Sequence, residues 1–134
     1  MAITLAQAEA VVSAARNKAT QIGIPVCVAV LDVGGNLKAF SRMDGAWLGA
    51  IDVATKKART SVLFDIETQV AWEICKPDGQ AHGLELTNDH LVTFAGGIPL
   101  RHDGELVGAV GVSGGQVSQD YEVARAAFEA FQAS

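Results

Sequence analysis

From Leu5 the apolar positions return every three or four residues, at Leu5, Ala8, Val12, Ala15, Ala19 and Ile22, which is the stripe of an amphipathic helix. Thr4 and Gln7 stand in capping-box spacing at its start, and Gly23 stops it. The period then changes. "IPVCVAVLD" is a valine-rich apolar run, Gly34 and Gly35 supply a turn, and "NLKAFSRMD" alternates Leu37 and Ala39 with polar neighbours, so the two read as a β-hairpin. Helical spacing resumes with Trp47, Ile51, Ala54, Ala58 and Ser61, while Asp52, Lys56, Lys57 and Arg59 fall on other faces. This predicts a second helix over roughly 46–62. "IETQVAWEIC" predicts a short third helix, and "KPDGQAHG" a loop.

In the second half, "LELTNDHLVTFAGGIPL" predicts a strand, a tight turn near Asn88 and Asp89, and another strand. "RHDG" turns into "ELVGAVGVSG", the most glycine-rich strand. "SQDYEVARAAFEAFQ" closes the chain as a helix capped by Ser118, with Val117, Tyr121, Ala124, Phe128 and Phe131 sharing a face. The order of elements is an α+β plan. Its turns are too short for parallel crossovers, so the sheet is expected to be antiparallel. The terminal helices must bury their stripes against it or against another subunit. Repeats, low-complexity tracts and linkers are lacking, so residues 1–134 read as one domain.

Composition narrows the class. The chain is 49% hydrophobic and 19% charged, with a mean hydropathy of +0.24, which is globular and far from the signature of disorder. A net charge of -5 and a pI near 5.0 give no general attraction to phosphate backbones or anionic lipid. Neither nucleic acid nor membrane is an expected partner. The N-terminus lacks the pattern of a signal peptide and no apolar stretch is of spanning length, which predicts a cytoplasmic protein. Cys27 and Cys75 form no CxxC pair and read as small hydrophobes.

Glycine is the anomaly. Gly96, Gly97, Gly108, Gly111, Gly114 and Gly115, with Pro99 among them, interrupt apolar strands that glycine weakens. Gly96 and Gly97 are expected to form either a pocket wall or a β-bulge. In "GVSGG" close packing of a helix or subunit is favoured over ligand contact, with Ser113 the one side chain there able to hydrogen-bond a ligand. The spacing is not that of a P-loop, and Asp120 in the first turn of the last helix would repel an anion.

"VLDVGGNLKAFSRMDGA", "KKARTS", "FAGGIPL", "GAVGVSGG" and "QD" ahead of an alanine-rich helix, in that order, resemble the GlcG/HbpS family. That group includes the C-terminal domain of PduO-type corrinoid adenosyltransferases, and the likeness spans nearly the whole chain. The resemblance implies a curved antiparallel sheet of about five strands flanked by helices, a profilin- or PAS-like α-β-α sandwich, assembled into homo-oligomers. It also implies heme as a candidate cofactor and a role beside catabolic pathways. The adenosyltransferase chemistry belongs to a separate domain and is not carried over.

The candidate ligand contacts are Arg42, Met43, Asp44, Lys56, Lys57, His90, Gly96, Gly97, Pro99, Ser113 and Gly114. Arg42 and Asp44 share one side of a strand and could pair with each other. Lys56 and Lys57 could anchor a carboxylate such as a heme propionate. His82 and His90 are the candidates for heme iron, with Met43 behind them, and no histidine occurs in the first helix. The spacing of the three histidines fits no zinc pattern, and no dedicated metal site is expected. The leading expectation is a binding protein with a heme-like or other flat organic ligand in a glycine-lined pocket. Its rivals are an enzyme using Asp44, Asp89 or His90 in acid–base chemistry on a small catabolic intermediate, and a module for assembly alone.

Overall fold

The computed structural model describes residues 2–134. Among these residues four α-helices are present, α1 (Leu5–Ile22), α2 (Ala50–Phe64), α3 (Thr68–Cys75) and α4 (Val117–Gln132). Four strands accompany them, β1 (Cys27–Asp32), β2 (Leu37–Arg42), β3 (Gly97–His102) and β4 (Glu105–Ser113), paired antiparallel in the order β2-β1-β4-β3. Because successive strand residues point to opposite faces, β1 builds two cores. Val28 and Val30, with Val110, Val112, Ile98 and Leu100, face α1 and α4. Cys27, Ala29, Leu31 and Ala109 face α2 through Ala50, Ala54, Ala58 and Val62. Each fully buried valine contributes roughly 1.5–3 kcal/mol relative to exposure, so the central strands anchor the sandwich. The α+β plan with a helix-flanked antiparallel sheet is what the resemblance implied.

Local signals explain the element ends. Thr4 Oγ1 accepts from the Gln7 amide at 3.1 Å and the Thr4 amide donates to Gln7 Oε1 at 2.9 Å, the reciprocal box that starts α1. Asp32 Oδ1 accepts from the amides of Gly34 and Asn36, which closes the β1–β2 turn. Two ends differ from expectation. α2 begins at Ala50 because Trp47 and Leu48, 72% and 71% exposed, lie outside the buried face. α4 is preceded by Gln116, whose amide donates to Gln119 Oε1, and Ser118 falls inside the first turn.

The sheet has four strands among the described residues, where about five were expected. The missing one is "LELTNDHLV", which forms a 3₁₀ turn at Leu84–Leu86 and then runs through Asn88, Asp89 and His90 at φ 54°, 56° and 69°. Three successive left-handed residues cannot belong to a strand. The tight turn near Asn88 and Asp89 is real, and it consumes the strand that was to flank it.

The glycine of β4 that matters most is Gly111. A Cβ there would stand 2.0 Å from the Ala54 carbonyl oxygen, so the backbone of α2 lies directly on the sheet. Gly97, Gly111 and Ala29 are register partners, which makes a bare track under that helix. No described helix is long and apolar enough to cross a membrane.

Candidate functional site

α3 buries Thr68, Ala71 and Cys75 and leaves Val70 and Trp72 outside. Thr68 fixes the helix by accepting from the Gly97 amide at 2.9 Å. The segment before β3 is tied down where the Val92 amide donates to Thr60 Oγ1 on α2. Between them opens a cleft of about 630 Å³, lined by Gln69, Val70, Trp72, Glu73, Thr93, Phe94, Ala95 and, from α4, Val117. Its size lies in the range of small-molecule sites. Val70, Trp72, Phe94 and Val117 are each about 45% exposed there. Gln69 donates from Nε2 to Glu67 Oε1, while its buried Oε1 has no hydrogen-bond partner.

Beneath Phe94 lies a buried ion pair. Lys57 Nζ donates to the Val112 carbonyl at 2.8 Å and to Asp120 Oδ2 at 3.0 Å, and the Phe94 ring centroid sits 5.0 Å from it. Asp120 Oδ1 accepts from the Gly115 amide at 2.9 Å. Burial pushes the Lys57 ammonium down from its ordinary pKa and the Asp120 carboxyl up, and the attraction between the two opposes both shifts.

The expected open, glycine-lined recess is not what the chain builds. A Cβ on Gly96 would stand 2.6 Å from the Val112 oxygen and 2.7 Å from Lys57 Nζ. On Gly97 it would meet the Lys57 carbonyl at 2.5 Å, and on Gly114 the Pro25 carbonyl at 2.6 Å. These glycines admit neighbouring chain, and the open volume begins one residue earlier, at Ala95. Ser113 is buried and Pro99 half-buried on the edge strand β3.

The other candidates disperse. Arg42 and Asp44 are exposed, and among the described residues no ion pair joins them, because β2 ends at Arg42 and the alternation stops there. Met43 is half-buried and its sulfur accepts from the Val26 amide at 3.5 Å. Lys56 pairs with Asp52 at 3.3 Å on the outer side of α2. Lys57 lies not on a solvated face but wholly inside. His82, His90 and His102 are exposed and none lines the cleft, nor do Asp44 and Asp89. Among the described residues no cluster of three or more His, Cys, Asp or Glu could hold a metal. Burial holds both thiols above their ordinary pKa, and the Glu85 carboxylate adds to the effect at Cys75.

Sequence reasoning missed Trp72, Val70 and Phe94. The available signal was that "IETQVAWEIC" is apolar beyond the one stripe that so short a helix can bury. The cleft walls suit one face of a porphyrin, since two aromatic rings and two valines offer stacking and apolar contact. The donor set does not suit histidine-ligated iron, because the lining holds no nitrogen or sulfur ligand of the usual kind.

A 15.0 kDa protein encoded in the dhaT-dhaS intergenic region of Citrobacter freundii is 39% identical over 130 residues, covering 96% of this chain and 92% of that protein. The corrinoid adenosyltransferase PduO of Salmonella typhimurium is 37% identical over 118 residues, but the match spans 87% of this chain and only 35% of PduO. The crystal structure of a PduOC:heme complex superposes with a TM-score of 0.92 at 34% identity, covering 97% of this chain and 95% of that one. Residues 3–129 match the family described as haem degrading protein HbpS-like, and the chain belongs to that family.

Proposed function

We propose that this protein binds a flat organic ligand of the porphyrin type in the cleft between Trp72 and Phe94, as an accessory to a catabolic pathway. The observation that carries the reading is the group of four apolar side chains, two of them aromatic, left about 45% exposed around one open volume. The heme complex of a similar domain makes heme the first ligand to test. The chain's own contribution is to stack on the macrocycle and keep water from its faces. Bound heme would supply an iron centre, and the cleft lining holds no His, Cys, Met or Tyr side chain to ligate it.

The test is a titration with hemin in a Trp47→Phe background, which leaves Trp72 as the sole indole. Saturable quenching of Trp72 emission, with a midpoint shifted to higher hemin in Val70→Ser, is the expected result. Hemin that binds without quenching Trp72 would place the ligand elsewhere and overturn the assignment.

A second copy of the chain is the other partner we propose. Trp47 and Leu48 stand adjacent at 72% and 71% exposure ahead of α2, a combination that a homo-oligomeric contact would cover. The acid–base reading draws no support, since Asp44, Asp89 and His90 do not converge on the cleft.

A further inference from the structure

Lys57 has three N–H donors and spends two of them, on the Val112 carbonyl and on Asp120. Among the described residues the ammonium has no third hydrogen-bond acceptor. The Phe94 ring lies beside the ammonium, its centroid 5.0 Å from Nζ, and the same ring is 46% exposed in the cleft. A cation–π contact is a weaker partner for an ammonium than a carboxylate. Phe94 also sits in an irregular segment, outside any helix or strand, where a side-chain rotation disturbs no backbone ladder. The lining of the cleft includes no Lys or Arg, so Lys57 is the cation that lies directly behind its wall.

We infer that the cleft is selective for flat ligands that carry a carboxylate, with Phe94 as a cover that swings aside so that the ligand's carboxylate takes the third N–H of Lys57. This rests on the ligand reading above and names the chemical class the ligand must have. Asp120 is already engaged through both oxygens, Oδ2 by the ammonium and Oδ1 by the Gly115 amide. Its charge opposes the lowering of the Lys57 pKa that burial causes.

Metal-free protoporphyrin IX, with two propionates, and its dimethyl ester separate the possibilities, each titrated against Trp72 emission. The acid should bind about ten- to a hundredfold more tightly than the ester, the worth of one charge-assisted hydrogen bond. The Lys57→Met/Asp120→Leu double variant should abolish that preference while still binding the ester. Phe94→Ala should weaken the ester through lost stacking and yet enlarge the preference for the acid, because no cover remains to displace. Should the double variant fail to fold, the Phe94→Ala preference decides alone, and an unchanged or smaller value overturns the inference. Equal binding of acid and ester overturns it while leaving the cleft reading intact. Binding of neither to the folded protein overturns both.

Discussion

Lys57 Nζ and Asp120 Oδ2 meet at 3.0 Å, with side chains 0% and 4% exposed, and they join α2 on one face of the sheet to α4 on the other. Two opposite charges in a dry interior are held by each other and by two backbone groups, the Val112 carbonyl and the Gly115 amide. Removing one partner leaves the other charge uncompensated, so Lys57→Met and Asp120→Leu should each cost about 3–5 kcal/mol. The double variant should fall well short of the sum, and come within about 1–2 kcal/mol of the parent protein, because replacing a buried pair by apolar side chains is close to neutral. Urea unfolding of the four proteins checks this cycle, and additive losses would show that the two side chains act independently.

The same pair sets a pH dependence with a definite sign. The Asp120 pKa is raised in the folded state, so its contribution is fully present below the unfolded value near 3.8 and is lost as pH rises through the folded pKa. The Lys57 pKa is lowered, so its contribution is present above the unfolded value near 10.5 and is lost as pH falls through the folded pKa. The ion pair is therefore at its least favourable between the two folded values. The parent protein, compared with Lys57→Met/Asp120→Leu, should lose relative stability on going from pH 3 into the neutral range and regain it toward pH 11. Denaturation midpoints of both proteins across that range test it; a relative stability that peaks at neutrality would contradict the burial argument.

Gly111 and Gly49 should respond to alanine with opposite signs. At Gly111 the added Cβ would lie 2.0 Å from the Ala54 oxygen and 2.6 Å from the Ala58 nitrogen, both of them backbone atoms of α2 that cannot turn aside. Gly111→Ala should cost about 3 kcal/mol or more, the upper end of overpacking. Gly49 has nothing within 4 Å of its Cβ position and helical angles of φ -61° and ψ -22°. There alanine should stabilise by about 0.4–1 kcal/mol by restricting the unfolded chain. Thermal unfolding of both variants is the measurement.

This glycine also shows how far the sequence could be read. Local codes were legible: the Thr4–Gln7 box, the Asp32–Asn36 turn and the valine period of β1 all report interactions within a few residues. In "GVSGG", where close packing was favoured over ligand contact, Gly111 lies against the α2 backbone, Gly114 against Pro25 and Val26, and Gly115 against Gln119 and Ile24. What stayed hidden depends on contacts far along the chain. Lys57 reads as a solvated helix charge until Asp120, 63 residues away, is folded against it. The cleft escaped because Trp72, Phe94 and Val117 come from three elements, and each alone reads as an ordinary apolar position.

The exposed pair Trp47–Leu48 gives a prediction about assembly. An indole and a leucine at 72% and 71% exposure cost solvation that a second subunit would recover. Trp47→Ser/Leu48→Ser should lower the native mass in sedimentation equilibrium without lowering the unfolding midpoint of the dilute chain. An unchanged mass distribution would remove this surface from any interface.

Hemin binding should be indifferent to every histidine in the chain. His82 Nδ1 lies 3.4 Å from the Cys75 carbonyl, His102 Nε2 lies 3.4 Å from Asp103 Oδ2, and His90 is exposed at a left-handed turn. None reaches the walls formed by Trp72 and Phe94. The triple variant His82→Ala/His90→Ala/His102→Ala should therefore bind hemin with the affinity and the visible spectrum of the parent protein. Trp72→Ala, which removes one stacking wall, should weaken hemin about ten- to a hundredfold, as expected for losing ~1–3 kcal/mol of aromatic contact. The inverse pattern, a spectrum that shifts with the histidines and an affinity untouched by Trp72, would mean that the iron is ligated at the surface and that the cleft serves another purpose.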